Sequence, residues 1–116
     1  LVRSLKLQKR AARVGFDWPE ISQVLDKIDE ETKELVEAKE KESQERINEE
    51  FGDLMFSIVN LGRHLKVDPE EALKQTNKKF IDRFKFIEEE NSEQGQKIEN
   101  SSLKEMETLW QQAKNS

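Results

Sequence analysis

The stretch Ile47–Leu65, INEEFGDLMFSIVNLGRHL, decides the fold of this 116-residue chain. Its apolar residues recur every three or four positions, which is the repeat of one face of an α-helix and not the alternation of a β-strand. The preceding stretch Ile21–Leu35 carries the same repeat. The sequence therefore predicts two amphipathic helices, at about 19–40 and 44–66, joined by a short turn near Glu42–Ser43.

The rest of the chain also predicts helices. In chain order the segments are a basic helix over 1–14 that ends at Gly15, a long third helix over 69–90, a mobile polar linker over 91–101 and a short last helix over 102–110. Asp68 is placed to cap the third helix, and Pro69 takes its first position, where no backbone N–H is missed. Since no segment alternates like a strand, we expect an all-α antiparallel helical bundle.

The composition indicates slender helices and a small core. Charged residues make up 39% of the chain and apolar residues only 34%, so large solvated faces are expected. The length suits one domain, 1–116, and we expect a second copy to complete its core in a homodimer or higher homo-oligomer. Because the sequence begins at Leu1 and not at methionine, we also expect it to be a piece of a longer chain.

Several classes of protein are disfavoured. The net charge is −5, with 20 basic and 25 acidic residues spread along the chain, so no nucleic-acid partner is expected. No apolar run reaches the roughly 20 residues that span a bilayer, so we expect a cytoplasmic protein without membrane contact. Without cysteine, and with His64 as the only histidine, a metal must be held by oxygen ligands. A di-iron or di-manganese bundle, which needs Glu-x-x-His pairs, is the weakest alternative.

Four carboxylates stand out by their position on the two central helices. Glu31 falls within the apolar stripe of the first helix, with Glu34 just beside it. Glu50 lies on the expected core face of the second helix, with Asp53 at its edge. Burying such groups without a counter-charge costs several kcal/mol each. If the helices are antiparallel neighbours, the four form an oxygen-rich site for Mg²⁺, for which Mn²⁺ would substitute; otherwise each is a solvated flank or pairs with a lysine.

Basic and aromatic side chains suggest where a substrate would bind. Lys79 and Arg83, four residues apart on one face of the third helix, would complement phosphate charge, or else form a solvated or salt-bridged face. Trp18, next to Phe16 in the connector before the first carboxylate helix, would stack on a base or plug the end of the bundle. His64 is expected to interact with the C-terminal dipole of its helix and not to bind a metal.

The carboxylate segments resemble a known family. Lys27–Leu35 (KIDEETKEL) followed by Glu49–Phe56 (EEFGDLMF) is similar to the Glu-Glu-x-x-Glu then Glu-x-x-Asp signature of the MazG nucleoside triphosphate pyrophosphohydrolases. Three further segments resemble the family in its order and spacing, namely 10–18, 59–65 and 77–84. The resemblance covers nearly the whole chain and is closest to the catalytic C-terminal domain of the two-domain bacterial members.

The resemblance implies Mg²⁺-dependent hydrolysis of a nucleoside or deoxynucleoside triphosphate to the monophosphate and pyrophosphate, by an oligomeric α-helical domain that clears surplus or aberrant nucleotides. The residues that match the family's metal-binding carboxylates are Glu31, Glu34, Glu50 and Asp53. Those that fall where members carry basic residues near the phosphates are Lys27, Arg46, Lys79 and Arg83, with arginine in place of lysine at 46. Glu30 is the nearest candidate for a general base.

A second interpretation belongs to a different functional class. The chain would be a non-catalytic helical dimerisation or regulatory module that has lost metal binding. The intact set of four carboxylates argues against this interpretation. Coupled binding of Mg²⁺ and a non-hydrolysable nucleotide, measured by calorimetry, distinguishes the two, because a pure scaffold would show none.

Overall fold

The computed structural model describes residues 1–41 and 43–115, which form helices and connecting turns without a strand. The helices are α1 (Val2–Arg13), α2 (Ile21–Glu40), α3 (Gln44–His64), α4 (Pro69–Glu93), a short 3-10 helix (Ile98–Asn100) and α5 (Leu103–Lys114). The all-α class predicted from the sequence is confirmed. In the described part of the chain, no helix is long and apolar enough to cross a membrane.

The two central helices begin at local caps. Helix α2 starts two residues later than predicted, because Glu20 is still extended and its backbone N–H donates to the Gln23 side chain at 3.2 Å. Helix α3 starts after Ser43, whose hydroxyl accepts from the backbone N–H of Arg46 at 3.4 Å. Such side-chain acceptors satisfy the unpaired N–H groups of a first helical turn. Of the predicted turn, Glu42 lies outside the described residues.

The later helices are longer than predicted. The Asp68 carboxylate accepts from the backbone N–H groups of Glu70 and Glu71, at 3.0 and 3.2 Å, and so caps α4 as expected. Helix α4 then continues to Glu93 and includes the buried Asn91, which the sequence had placed in the linker. The mobility of the remaining linker stays a prediction. Helix α5 extends past the predicted end at residue 110 to residue 114.

The chain divides into two compact units, and the division falls within α4, after Ala72. In the first unit α2 packs along α3, and α1 packs against α3 from another side. Since only residues 41–43 separate α2 from α3, the two helices form an antiparallel hairpin. In the second unit, which begins at Leu73, Ile87 and Leu109 are buried. The organisation as a single domain stays a prediction.

The apolar core of the first unit is small. Its buried apolar residues are Val24, Ala38 and Val59. Phe51 and Ile58 belong to the apolar repeat that predicts α3, yet they are 52% and 50% exposed within one chain. The reason is that α3 is apolar on more than one side, and periodicity alone does not decide which side meets its neighbour. Completion of the core by a second copy stays a proposal.

One buried face of α3 is polar, although Val59 is buried on another side of this helix. Glu50, Ser57 and Asn60 are buried on the polar face, and with Asp53 they follow one another at spacings of three, four and three residues, which places all four on one helical face. Buried polar groups are usually retained where they have hydrogen-bonding partners or a function. The polarity of this face therefore marks it as a candidate site, with Glu50 and Asp53 toward one end and Asn60 toward the other.

The tight α2–α3 contact predicts the effect of enlarging one side chain. Ala38 has no exposed surface, so Ala38→Leu forces extra atoms between the helices, and we expect the free energy of unfolding to fall by about 1–3 kcal/mol. The matched control is Val36→Leu on the same helix, where Val36 is half exposed and a change within about 0.5 kcal/mol is expected. Urea denaturation followed by circular dichroism measures both, and equal stability of the two variants would contradict the packing described.

Candidate metal centre

The α2–α3 hairpin brings acidic residues of both helices together. Carboxylate oxygens of Glu31, Glu50 and Asp53 lie within 4.8 Å of one another. The proximity of these carboxylates follows from their positions in the antiparallel hairpin, whose midpoint in sequence is position 42. Glu34 and Glu50 are each eight residues from this midpoint, and Glu31 and Asp53 are each eleven residues from it. Residues at equal distances from the turn face each other. The spacing of the Glu-x-x-Glu and Glu-x-x-Asp motifs along the sequence is therefore what brings their carboxylates together in this hairpin.

Glu34 joins the cluster through Glu50. A hydrogen bond to the Glu50 carboxylate raises the pKa of Glu34 to about 7, and partial burial and the negative charge of Glu31 add to the effect. The Glu34 carboxyl group is therefore only partly ionised near neutral pH when no cation is bound. The structure brings together all four carboxylates selected from the sequence, while their role as metal ligands stays a proposal.

The cluster contains buried oxygen atoms without a hydrogen-bond partner. Glu31 is 4% exposed and Glu50 is 9% exposed, and the Oε2 atom of each is buried and has no hydrogen-bond partner among residues 1–41 and 43–115. An ionised carboxylate in such a place is costly unless a cation or a donor reaches it. Two oxygens of this kind, with a third carboxylate beside them, match the all-oxygen ligand set that Mg²⁺ and Mn²⁺ prefer.

One basic side chain within the first unit reaches the cluster. The Lys27 ammonium lies 2.9 Å from Oε1 of Glu31 and 3.6 Å from Oε2 of Glu30. The hydrogen bond to Glu31 is the main cause of the raised pKa of Lys27, so this lysine stays protonated at neutral pH. Glu31 is paired through one oxygen only, and no ion pair involves Glu34, Glu50 or Asp53 within residues 1–41 and 43–115. The cluster keeps an excess of negative charge.

The other predicted phosphate-binding residues lie outside this cluster or in the second unit. Arg46 is exposed in the first turn of α3 and forms no ion pair with the described residues. Lys79 is exposed on α4, and the Arg83 guanidinium lies 5.2 Å from the centroid of the Trp110 ring. That ring also contacts Phe80, at 5.7 Å between centroids. The approach of Lys79 and Arg83 to a bound substrate stays a prediction.

A polar contact ties the connector between α1 and α2 to the end of α3. Oδ1 of Asp17 accepts a hydrogen bond from Arg63 and lies 3.2 Å from Nε2 of His64. The hydrogen bond from Arg63 is the main cause of the lowered pKa of Asp17. His64 lies in the last turn of α3, as expected, but its ring contacts this carboxylate. No local pattern in the sequence predicts a contact between residues 46 positions apart.

Beside this contact lies a cavity of about 550 Å³. The residues that line it include the aromatic Phe16, Trp18 and Phe56 and the polar Gln8, Asn60 and Arg63. Trp18 was selected from the sequence as a substrate contact, and the structure places it on an open cavity of the first unit. Gln8 and Asn60 were not predicted from the sequence as residues of a site. Asn60 had a signal, because it continues the spacing of Glu50 and Asp53 along α3.

Comparison with known proteins identifies the family of the chain. Residues 20–88 match the model of the MazG nucleotide pyrophosphohydrolase domain, a range that contains all four clustered carboxylates. The chain belongs to this family. It is 47% identical over 109 residues to the nucleoside triphosphate pyrophosphohydrolase/pyrophosphatase MazG of Thermotoga maritima, and 43% identical over 116 residues to the nucleoside triphosphate pyrophosphohydrolase of Escherichia coli K12.

These alignments cover nearly all of the chain and less than half of each relative. They include 94% and 98% of this chain, but 42% of the Thermotoga protein and 44% of the Escherichia protein. A third relative, the uncharacterized protein YabN of Bacillus subtilis, is 45% identical over 71 residues, which are 61% of this chain and 14% of that protein. The sequence thus corresponds to one portion of its longer relatives.

The raised pKa of Glu34 predicts how the stability of the metal-free protein depends on pH. Its pKa is about 7 when folded and 4.5 in an ordinary environment, so the folded state binds a proton more tightly than the unfolded state between these values. In a buffer with a chelator, this contribution to stability is full below pH 4.5 and is lost as the pH rises through about 7. Glu34→Gln, which cannot ionise, should reduce the fall in melting temperature between pH 5 and pH 8.

The control for this measurement is Glu37→Gln, one turn further along α2 and exposed. This variant should keep the pH dependence of the unmodified protein. A slope that is the same in all three proteins would show that the pKa of Glu34 is not raised in the folded state.

Proposed function

We propose that the chain is a Mg²⁺-dependent nucleotide pyrophosphohydrolase that converts a nucleoside or deoxynucleoside triphosphate and water into the monophosphate and pyrophosphate. The observation that carries the proposal is the cluster of Glu31, Glu34, Glu50 and Asp53, with buried oxygens that lack partners. Family membership and the names of the Thermotoga and Escherichia relatives support the same reaction.

The residues of the cluster fit a divalent cation. Glu31, Glu50 and Asp53 offer oxygens close enough to share one ion, and Glu34 would complete the set once its proton leaves. When bound, Mg²⁺ would offset the negative charge of the phosphates and favour ionisation of an attacking water. Mn²⁺, which accepts the same oxygen ligands, would substitute.

The surrounding side chains would position the substrate. Lys27 holds Glu31 in place through one oxygen and leaves the other oxygen available. Glu30, at the edge of the cluster and 3.6 Å from Lys27, is the nearest candidate to accept a proton from water. We assign Lys79 and Arg83 of α4, together with Arg46 of α3, to the phosphates, and Trp18 to the base. Arginine and lysine serve this purpose because they carry a full positive charge and several donors.

The setting of the reaction is part of the proposal. An enzyme that removes surplus or aberrant nucleotides would work in the cytoplasm, where the nucleotide pool is found. We also propose that the chain works as a homodimer or higher homo-oligomer. Phe51, Met55 and Ile58 are each at least 40% exposed on α3, and a second copy would cover this apolar surface. No nucleic-acid partner is proposed.

Removing one carboxylate tests the reaction. Glu50→Gln keeps the size of the side chain but removes the charge, so we expect turnover of triphosphates to be abolished while the helical content stays nearly unchanged. Asp53→Asn should act in the same way. Mg²⁺ should raise the melting temperature of the unmodified protein but not of Glu50→Gln, because a ligand stabilises only the state that binds it.

The control for this test is Glu49→Gln, since Glu49 is adjacent in sequence but exposed. It should keep both activity and the response to Mg²⁺. The assay should use the eight canonical NTPs and dNTPs and score pyrophosphate against orthophosphate. Full activity of Glu50→Gln, or orthophosphate as the first product, would refute the proposal.

A substitution on α4 tests the assignment of the phosphate contacts. Lys79→Gln should raise KM for the triphosphate because it removes a positive charge that binds the phosphates. Its neighbour Lys78→Gln is the matched control, since both lysines are exposed on the same helix. Steady-state kinetics and circular dichroism on both variants distinguish loss of binding from loss of folding. An equal KM for the two variants would remove Lys79 from the site.

The alternative function is a non-catalytic helical dimerisation or regulatory module. The exposed apolar surface of α3 is the observation in its favour. Calorimetry decides between the two, because an enzyme would bind Mg²⁺ together with a non-hydrolysable nucleotide, whereas a scaffold would bind neither.

A further inference from the structure

We propose that Asp17 and Arg63 are positioning residues for nucleotide binding, because their contact holds Trp18 in place at the open end of the α2–α3 hairpin. The inference rests on the proposed function, which assigns Trp18 to the substrate, and adds what holds this residue there. All three residues lie within the first unit. The turn at 41–43 joins α2 to α3 at one end of the hairpin. At the other end, the contact joins α3 to the connector before α2, residues 14–20.

The backbone of the connector does little to fix Trp18. Just after α1, Gly15 has a φ of +86°, and its N–H donates to the Ala12 carbonyl at 3.0 Å. Beyond this turn, neither Asp17 nor Trp18 forms a backbone–backbone hydrogen bond with the described residues, and Pro19 has no N–H to donate. Side-chain contacts must therefore hold this stretch of the chain.

Burial does not fix the Trp18 side chain either. Trp18 is 39% exposed, and its near neighbour Phe16 is 82% exposed. A fully buried ring is held by the atoms packed around it, whereas a ring with this much free surface follows the backbone that carries it. Trp18 lines the cavity of about 550 Å³ together with Arg63. A shift of the connector would therefore move Trp18 relative to that cavity.

One carboxylate oxygen connects the backbone of Trp18 to α3. Oδ1 of Asp17 accepts from the backbone N–H of Trp18 at 2.9 Å and from the Arg63 guanidinium. The same oxygen lies 3.2 Å from Nε2 of His64. The hydrogen bond from Arg63 holds the pKa of Asp17 below its ordinary value, so this carboxylate is ionised at neutral pH. Trp18 is thus linked to α3 through a charge-assisted hydrogen bond, which is stronger than a neutral one.

Arg63 is itself held by α3. Its guanidinium also donates to Oδ1 of Asn60 at 2.7 Å, and Asn60 is buried. The Arg63 side chain is only 15% exposed, and its Nε atom is buried without a hydrogen-bond partner among residues 1–41 and 43–115. A buried donor without a partner is costly and calls for an explanation. Arg63 is therefore a preorganised partner for Asp17, kept in this place in spite of that cost.

Fluorescence of Trp18 tests whether the contact fixes this residue. The experiment uses the Trp110→Phe protein, in which Trp18 is the remaining tryptophan. Asp17→Ala should increase the quenching of Trp18 by acrylamide and lower its fluorescence anisotropy, because the released connector moves more freely. Asp17→Asn, which keeps an acceptor oxygen but loses the charge, should give a smaller change. The matched control, Asp26→Ala, removes an exposed carboxylate of α2 and should change neither quantity.

Steady-state kinetics in the protein that keeps both tryptophans test the role in binding. Asp17→Ala should raise KM for the triphosphate about 3- to 10-fold, because one hydrogen-bonded contact is lost and fewer molecules hold Trp18 in place. The value of kcat should not change, since the acidic cluster is not altered. Asp26→Ala should keep both values. A merely structural contact would lower the melting temperature without this split between KM and kcat.

Arg63→Met tests whether the two residues act through one contact. It should raise KM as Asp17→Ala does, and the double variant should be no worse than either single variant, because all three lack the same contact. Additive effects would show that Asp17 and Arg63 act separately and would overturn the inference. If circular dichroism shows that Asp17→Ala does not fold, Asp17→Asn should still raise KM relative to its control Asp26→Asn.

The outcomes separate this inference from the proposed function. Unchanged quenching of Trp18 in Asp17→Ala, or an unchanged KM beside a lowered melting temperature, overturns the inference even if the protein produces pyrophosphate. If the unmodified protein hydrolyses no triphosphate, the proposed reaction fails. Calorimetry with Mg²⁺ and a non-hydrolysable triphosphate then decides the inference. Weaker binding by Asp17→Ala supports it, whereas equal binding, or no binding by either protein, overturns it.

Discussion

The central constraint on this structure is the electrostatic repulsion between the carboxylates that meet where α2 packs on α3. Glu31 and Glu50 are buried at the contact of α2 and α3, each with an oxygen that has no partner, and Glu34 and Asp53 lie beside them. When no cation is bound, the Lys27 ammonium and the proton that Glu34 retains up to a pKa of about 7 relieve part of this repulsion. A fold optimised for stability alone would place apolar side chains there. The arrangement is understandable as a site whose stability is completed by a cation, and stability is commonly lower at functional sites.

The central hairpin and its carboxylates were predictable from the sequence because both depend on local spacing. A 3.6-residue repeat fixes which residues share a helical face, and a short turn makes α2 and α3 antiparallel, so Glu34 and Glu50 had to meet. The caps at Ser43 and Asp68 were equally local. The contact of Asp17 with Arg63 was not predictable, because it joins residues far apart in sequence and depends on how α1 packs.

Helix α3 shows why an apolar repeat does not identify the buried face. Its inner side carries Glu50, Ser57 and Asn60, whereas Phe51 and Ile58 are half exposed. Hydrophobicity predicts that a residue avoids water but does not say whether its own chain or another molecule covers it. Glu50 lies in the acidic cluster at one end of this side, and Asn60 lines a cavity at the other. For such a helix, the function of the site and not the size of the core determines which side faces inward.

The equal distances of the four carboxylates from position 42 limit how this hairpin can change in evolution. One extra residue inside either helix would rotate everything beyond it by about 100° and would carry one member of each facing pair away from its partner. Surface loops usually absorb an inserted or deleted residue. A residue inserted or deleted within α2 or α3 near the turn cannot be absorbed in this way, because it changes which residues of the two helices face each other. The interval between the two acidic motifs can vary only through loops that leave both helices in register.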